Sequence, residues 1–374
     1  LPDLLAYYLK QIEDTKHLNA FNEVFFYSAE VQAKAVQQKI DAGTAGRLAG
    51  MVIGIKDNIC YENHVVTASS KMLDGFVSPY WSTVVQRLLQ EHAVIIGRLN
   101  CDEFAMGGSN ETSYFGPAKN AANPDLVPGG SSGGSAIAVQ ADMCLAALGT
   151  DTGGSVRQPA AFCGQIGLKA TYGRISRYGV IAYASSFDQV GPITSSVEDA
   201  ALLLQVLAGA DDYDSTVSPL EVPDYPSHLN NAKPQKIAVL KETIESDALD
   251  PEIKSAILKS IAGLKAKGHT VEYVSFDLLD YVVPAYYILT TAEASSNLSR
   301  YDGVHYGHRN TEAKSLTELY KLSRAEGFGE EVKKRILLGT FVLSAGYYDA
   351  YYQKAQQVRR LIREKMDAFF VEYD

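Results

Sequence analysis

Between Val127 and Arg157 the chain passes through two glycine–serine loops in close succession. The first reads Pro128-Gly-Gly-Ser-Ser-Gly-Gly-Ser135, and the second reads Asp151-Thr-Gly-Gly-Ser-Val-Arg157. Paired glycines let a backbone approach another group closely and aim N–H groups at a developing negative charge. Few structural needs place two such loops in tandem. A serine-based active site is therefore the first hypothesis.

The segments around the loops read as α/β. Ser132 to Gln140 is a small-residue helix, and Met143 to Gly149 is a short apolar strand leading into the second loop. Leu4 to Lys16 and Ala29 to Ala42 carry apolar residues at helical spacing. Leu48 to Ile59 is β-branched and punctuated by glycine, the pattern of a buried strand, with Lys56 in its middle. Thr83 to His92 reads as a helix and Ala93 to Arg98 as the strand after it. Ser195-Ser-Val-Glu198 matches a capping box and opens a helix through Leu207. Residues 211–235 are rich in Asp, Pro, Ser and Asn and predict a surface connection. Beyond it, Lys236 to Leu240 and Thr270 to Phe276 read as strands around a helix from Glu252 to Lys267. From Leu278 onward the chain is largely helical and dense in tyrosine.

Composition narrows the function classes. The 374 residues are 46% hydrophobic and 21% charged, an ordinary globular profile. A net charge of −10 disfavours direct binding to a nucleic-acid backbone, which relies on clustered Lys and Arg. Cys60, Cys101, Cys144 and Cys163 show no C-x-x-C spacing and read as buried thiols in a reducing compartment. Leu1 to Lys10 is too short, and lacks the basic lead, for a signal peptide. No apolar run reaches the length of a membrane span. These features predict a cytosolic protein.

Phosphate binding fits the loops poorly. From Gly129, G-x-x-x-x-G is completed at Gly134, but Ser135 follows where a P-loop needs Lys, and G-x-G-x-x-G is absent. A histidine base is also unsupported. The seven histidines are scattered, and G-x-S-x-G does not occur around Ser131 or Ser155. His305-x-x-His308 is too weak a spacing to argue for metal, and no metal site is expected. Lys56 is then the candidate base, in Gly54-Ile-Lys-Asp-Asn58, where burial would lower its pKa and favour the neutral amine. The alternative is a strand lysine paired with Asp57, and the segment alone leaves both open.

Gly54-Ile-Lys-Asp-Asn58, Gly129-Gly-Ser-Ser-Gly-Gly-Ser135 and Asp151-Thr-Gly-Gly-Ser-Val-Arg-Gln-Pro159 occur in the order and spacing of the amidase signature family, which this chain resembles. The resemblance implies an α/β fold with a central mixed β-sheet covered by helices on both faces. It implies one amidase domain over 1–374, with the signature core at 50–200. It also implies a Ser–Ser–Lys triad, in which Ser155 attacks an amide carbonyl and Ser131 relays its proton to neutral Lys56. The Gly130–Ser131 bond is expected to be cis. The Thr152, Gly153 and Gly154 turn would supply oxyanion donors, with Asp151 and Arg157 as its structural brace.

Similarity to one branch, the glutamine-hydrolysing subunits of tRNA-dependent amidotransferases, extends further. It is carried by Asp102-Glu-Phe-Ala-Met-Gly-Gly-Ser109, Thr171 to Gly179 and Ser185-Ser-Phe-Asp-Gln-Val-Gly-Pro192, and in the C-terminal half by Glu293 to Gly303, Gly327 to Gly339 and Ser344 to Tyr352. The branch implies that Arg335 grips the α-carboxylate of glutamine and that Tyr286 lines the pocket. Residue patterns alone leave Arg335 an i,i+4 partner of Glu331, and neighbouring Tyr287 competes with Tyr286. The resemblance further implies two partner subunits, B and C, in a heterotrimer. A partner would hold misacylated tRNA, with ATP and Mg there and no cofactor in this chain. A stand-alone amidase acting on small amides is the alternative function, and a non-catalytic scaffold is the third.

The chain ends at Ala368-Phe-Phe-Val-Glu-Tyr-Asp374 as an apolar run begins, which predicts a sequence that continues. Members of the branch run on for roughly another hundred residues, into a core strand and an acidic residue for the substrate α-amino group.

Overall fold

A computed structural model describes residues 1–230 and 233–374, which divide into two compact units. The first comprises Leu1–Pro226 and Glu293–Leu337, and the second Ser227–Ala292 and Leu338–Asp374.

The first unit is built on a six-stranded mixed sheet. Its strands are β1 (Phe21–Val24), β2 (Val52–Lys56), β3 (Val94–Leu99), β4 (Ala146–Asp151), β5 (Ile166–Gly167) and β6 (Gln189–Thr194), in the order β1-β3-β2-β4-β6-β5. β2 runs parallel to both β3 and β4, while β1, β5 and β6 pair antiparallel to their neighbours. Every residue of β2, β3 and β4 is buried, as a sheet covered on both faces requires.

Alternate residues of these strands feed two separate cores. Val52, Val94, Ile96 and Ala147 join one core with helices Pro2–Asp14, Phe26–Asp41 and Gly133–Gln140. Ile53, Ile55, Ile95, Ala146 and Leu148 join the other with helices Thr83–Gln90 and Val197–Leu207. Side chains on a strand alternate between faces, so the β-branched run produces two packed layers with no polar face.

Helix Gly133–Gln140 is buried on nearly its whole circumference, as its run of Gly, Ser, Ala and Ile allows. Its closeness to the sheet depends on glycine. A Cβ at Gly134 would collide with the backbone carbonyls of Asn100 and Ala20.

Several expected boundaries move for identifiable reasons. Lys56 is the last residue of β2 and not its middle, because the chain turns at once, with Ile59 N–H donating to Lys56 C=O at 2.9 Å. β4 begins at Ala146 and not Met143, since Met143 N–H still closes the preceding helix on Ala138 C=O. The cap of helix Val197–Leu207 falls one residue later than the expected Ser195–Glu198 box, with Ser196 Oγ accepting Asp199 N–H at 3.1 Å. β6 lies in a stretch whose Gly191 and Pro192 hide its strand character, and β1 has only four residues. The connection at 211–235 is exposed over most of its length, though Asp214 is buried. Residues 231 and 232 lie outside the described residues.

The second unit contains a parallel pair, β7 (Lys236–Leu240) and β8 (Thr270–Val274), joined through helix Pro251–Ala266. Asp250 caps that helix by accepting Glu252 N–H at 2.8 Å, with Pro251 at its first turn. The unit also contains the paired rings of Phe276 and Phe369.

Candidate active site

Lys56 ends β2 and Asp151 ends β4, and the two strands are parallel. Both glycine–serine loops therefore gather at the carboxyl edge of the central strands, where open α/β sheets place their sites. Lys56 is wholly buried. Its Nζ lies 2.7 Å from Ser131 Oγ and 2.9 Å from Thr150 Oγ1, with Thr150 C=O at 3.5 Å. Burial pulls its pKa below the ordinary lysine value, against smaller opposing contributions from Cys101, Asp102, Asp188 and Asp151.

The alternative pairing of Lys56 with Asp57 is not what the chain adopts. Asp57 Oδ2 accepts from Arg98 Nη1 at 2.8 Å and from Thr67 Oγ1 at 2.5 Å. A neutral lysine amine has two N–H groups and one lone pair. Lys56 Nζ is placed to donate to Ser131 Oγ when charged; when neutral, with Thr150 Oγ1 and C=O taking its N–H groups, it can turn its lone pair to the Ser131 hydroxyl.

The Gly130–Ser131 peptide is cis, as the resemblance implies. Gly130 N–H donates to Gln158 Oε1 at 2.8 Å, and Gln158 Nε2 donates to Gly108 C=O at 3.0 Å. On the other side, Asp102 N–H donates to Ser131 C=O at 3.1 Å. A Cβ at Gly130 would collide with the Asp102 carboxylate, so glycine is required there. Ser132 N–H donates to Ser155 C=O at 3.1 Å and fastens the two loops together. Ser131 is wholly buried, whereas Ser155 keeps 8% of its surface exposed.

The Ser155 turn is held from below by Asp151. Its Oδ1 accepts Gly154 N–H at 2.8 Å, and its Oδ2 accepts Val156 N–H at 3.1 Å. Arg157 completes a two-pronged ion pair with both oxygens, at 3.1 and 3.0 Å. Burial works against the ionised Asp151, but Arg157 and the turn N–H groups outweigh it and hold its pKa below the usual range. The pair is thus the brace the sequence suggested. Of the three expected oxyanion donors, Gly154 directs its N–H into this brace, which leaves Thr152 and Gly153. The Thr152 hydroxyl donates to Asp188 Oδ1 at 2.6 Å.

Arg335 lies on helix Glu330–Val342. Its Nε donates to Glu331 Oε1 at 2.8 Å, and its Nη1 donates to the Tyr183 hydroxyl at 2.9 Å. The helix-pair reading is therefore present, and a second contact joins it. Tyr286 belongs to the second unit, half-buried on helix Leu279–Asn297, with its ring edge-on to Tyr287 at 5.4 Å. His305 and His308 each face a carboxylate of their own, Asp302 at 2.7 Å and Glu326 at 2.9 Å. All four cysteines are buried and unpaired. Among the described residues no group of His, Cys, Asp or Glu is arranged to hold a metal ion.

Sequence reasoning passed over Thr150, Gln158, Tyr183 and Asp188. Thr150 and Gln158 adjoin the second loop, and Asp188 lies in the Ser185–Pro192 stretch. Their signal was position beside a recognised motif. Each also has partners 18 to 152 residues away, which could not be paired from sequence.

Known proteins match this chain along its length. A match to the Amidase family covers residues 3–374. The A subunit of glutamyl-tRNA(Gln) amidotransferase from Synechococcus sp. (strain CC9902) is 50% identical, over 100% of this chain and 76% of that protein. The crystal structure of the corresponding A subunit from Thermotoga maritima superposes with a TM-score of 0.79 at 38% identity, covering 99% of this chain and 74% of that one. A peptide amidase from Stenotrophomonas maltophilia is more distant in sequence at 29% identity, with a TM-score of 0.81 over 95% of this chain and 74% of that one. Shared sequence and shared fold run from one end of the chain to the other: it belongs to the amidase family.

Proposed function

We propose that this chain is the glutaminase subunit of a tRNA-dependent amidotransferase, and that Lys56, Ser131 and Ser155 are its catalytic residues. The observation that carries the mechanism is a buried amine, without an ion-pair partner among the described residues, 2.7 Å from a buried serine hydroxyl. Ser155 Oγ attacks the glutamine amide carbon. Its proton passes to Ser131 Oγ as the Ser131 proton passes to Lys56 Nζ. The negative charge on the former carbonyl oxygen is met by the N–H groups of Thr152 and Gly153, aimed in advance by the Asp151 brace. Returning the proton through the same relay lets ammonia leave, with a glutamyl ester on Ser155. Water, deprotonated by the relay, then releases glutamate.

Arg335 suits the α-carboxylate. Its planar guanidinium can bind a carboxylate through two parallel N–H bonds. A stand-alone amidase for small apolar amides would have no use for it. Tyr286 is the second substrate-binding residue of this reading. The half-identity to amidotransferase A subunits, against 29% to a peptide amidase, favours the amidotransferase over the stand-alone enzyme.

In this reading the ammonia serves a partner that binds ATP and Mg and activates Glu-tRNA(Gln), Asp-tRNA(Asn) or both, within a heterotrimer with subunits B and C. The acidic net charge agrees with a partner holding the tRNA. The reaction belongs in the cytoplasm, and no helix among the described residues is long and apolar enough to cross a membrane. Ammonia release from glutamine, with and without the partner subunits, tests the assignment. Weak release alone and stimulation in the complex are expected. Equal rates in both, or preference for amides lacking an α-carboxylate, would overturn it.

A further inference from the structure

Asp188 precedes β6, is 4% exposed, and forms no ion pair among the described residues. Uncharged donors fill its carboxylate instead. Oδ1 accepts the Thr152 hydroxyl at 2.6 Å and Ala184 N–H at 3.2 Å, while Oδ2 accepts Tyr183 N–H at 2.9 Å and Ala184 N–H at 3.1 Å. Burial pushes its pKa up to about 6, against the pull of those hydrogen bonds. An ionised group held this way is costly, and a neutral side chain of the same shape would avoid the cost.

Two of its donors belong to residues with other contacts at the site. Thr152 opens the turn that leads to Ser155. Tyr183 takes Arg335 Nη1 on its hydroxyl, and the guanidinium carbon lies 5.4 Å from the centre of its ring. The Tyr183 carbonyl is fixed in turn by Asn297 Nδ2 at 3.2 Å. One carboxylate thus joins the residue that would grip one end of glutamine to the turn that would stabilise charge at the other.

We propose that Asp188 is a positioning residue that couples occupancy of Arg335 to the Thr152 side of the oxyanion turn, so that an amide bearing an α-carboxylate is hydrolysed faster than the same amide without one. The proposal rests on the glutaminase reading above. Binding energy from the remote carboxylate is then used to set the turn, and selectivity falls in kcat as well as in KM.

The test measures ammonia release from glutamine and from 4-aminobutanamide, which is glutamine without its α-carboxylate. The assembled amidotransferase carries this chain as wild type, Asp188→Asn, Arg335→Met or both. Asparagine keeps the shape and its Oδ1 can accept the Tyr183 and Ala184 N–H groups, but its Nδ2 cannot accept the Thr152 hydroxyl proton, so the link to the turn is cut. Asp188→Asn should lower kcat for glutamine about tenfold or more and kcat for 4-aminobutanamide less than about threefold. Adding Arg335→Met to Asp188→Asn should lower the glutamine kcat no further. Equal losses on both substrates, or losses that multiply in the double variant, would overturn the coupling.

Thr152→Val removes the hydroxyl that Asp188 accepts and keeps the N–H. Whatever it costs both substrates through the turn, it should lower the ratio of the glutamine kcat to the 4-aminobutanamide kcat about threefold or more, including where Asp188→Asn fails to fold, and an unchanged substrate ratio in this variant would overturn the proposal too. A wild-type complex with no preference for glutamine would bring down the glutaminase reading and the proposal with it. The wild-type measurement alone distinguishes that case.

Discussion

The Lys56 amine lies 2.7 Å from the Ser131 hydroxyl, although 75 positions separate the two in sequence. β2 delivers the amine at its last residue, and the loop before helix Gly133–Gln140 delivers the hydroxyl. Parallel pairing of β2 with β4 adds the Ser155 turn at the same edge. The account of activity depends on that amine being neutral.

Activity should therefore rise with pH through the Lys56 pKa, because only the unprotonated amine accepts the Ser131 proton. Burial lowers that pKa, so the acid limb of a kcat/KM profile for glutamine should lie below the ordinary lysine value of about 10.4. Stability follows the same sign. A lysine depressed in the folded state binds fewer protons than the unfolded chain does, so this group's contribution rises with pH across the window between its folded and ordinary values. Lys56→Arg, charged at every accessible pH, should be inactive throughout. An active arginine variant would contradict the neutral base.

The Asp151 brace should matter more than its ion pair. Asp151→Ala strands the Gly154 and Val156 N–H groups and should cost about 2–4 kcal/mol in denaturant unfolding. Arg157→Ala should cost less, about 1–2 kcal/mol, because the half-exposed arginine leaves a gap that water can fill while the buried carboxylate keeps its backbone N–H donors. Asp151 is held below its usual pKa, so its contribution is present above the ordinary carboxylate value and lost as pH falls through the folded one. Equal losses from the two substitutions would contradict a brace made mainly of backbone N–H groups.

Gly134→Ala sets helix propensity against space. Alanine gains about 1 kcal/mol over glycine inside a helix. The added Cβ meets the carbonyls of Asn100 and Ala20, which are backbone and cannot swing aside. The clash should win, with a net loss of about 1–3 kcal/mol measured as a lower Tm. A stabilised variant would show that the helix can lift off the sheet without penalty.

Arg335→Lys should raise KM for glutamine about tenfold or more, since a point charge replaces a fork that can bind a carboxylate through two N–H groups. Hydrolysis of 4-aminobutanamide should change little. Matching losses on the two substrates would remove Arg335 from carboxylate binding.

The candidate site was legible where its residues stand in contiguous runs. Residue types draw attention to both glycine–serine loops and to the Asp151–Arg157 pair, whereas they leave Lys56 open until the order and spacing of the three motifs are weighed together. The strands β2, β3 and β4 were legible apart from their ends, because burial on both faces leaves a mainly apolar run. β6 was not, since Gly191 and Pro192 contradict strand propensity and only pairing with β4 overrides them. Thr150 and Asp188 were missed for another reason. A threonine or aspartate beside a motif looks like turn chemistry until its long-range partner is known. For Asp188 that partner is Thr152, 36 positions away.

The most direct test of the triad is glutamine hydrolysis by the assembled enzyme carrying Lys56→Ala, Ser155→Ala or both, with folding confirmed by Tm. Members of one catalytic unit are strongly non-additive, so both single variants and the double should fall to one common floor, about a thousandfold or more below wild type. Near-normal ammonia release from Lys56→Ala would contradict the account, because the relay from Ser155 through Ser131 would then have no base at its end.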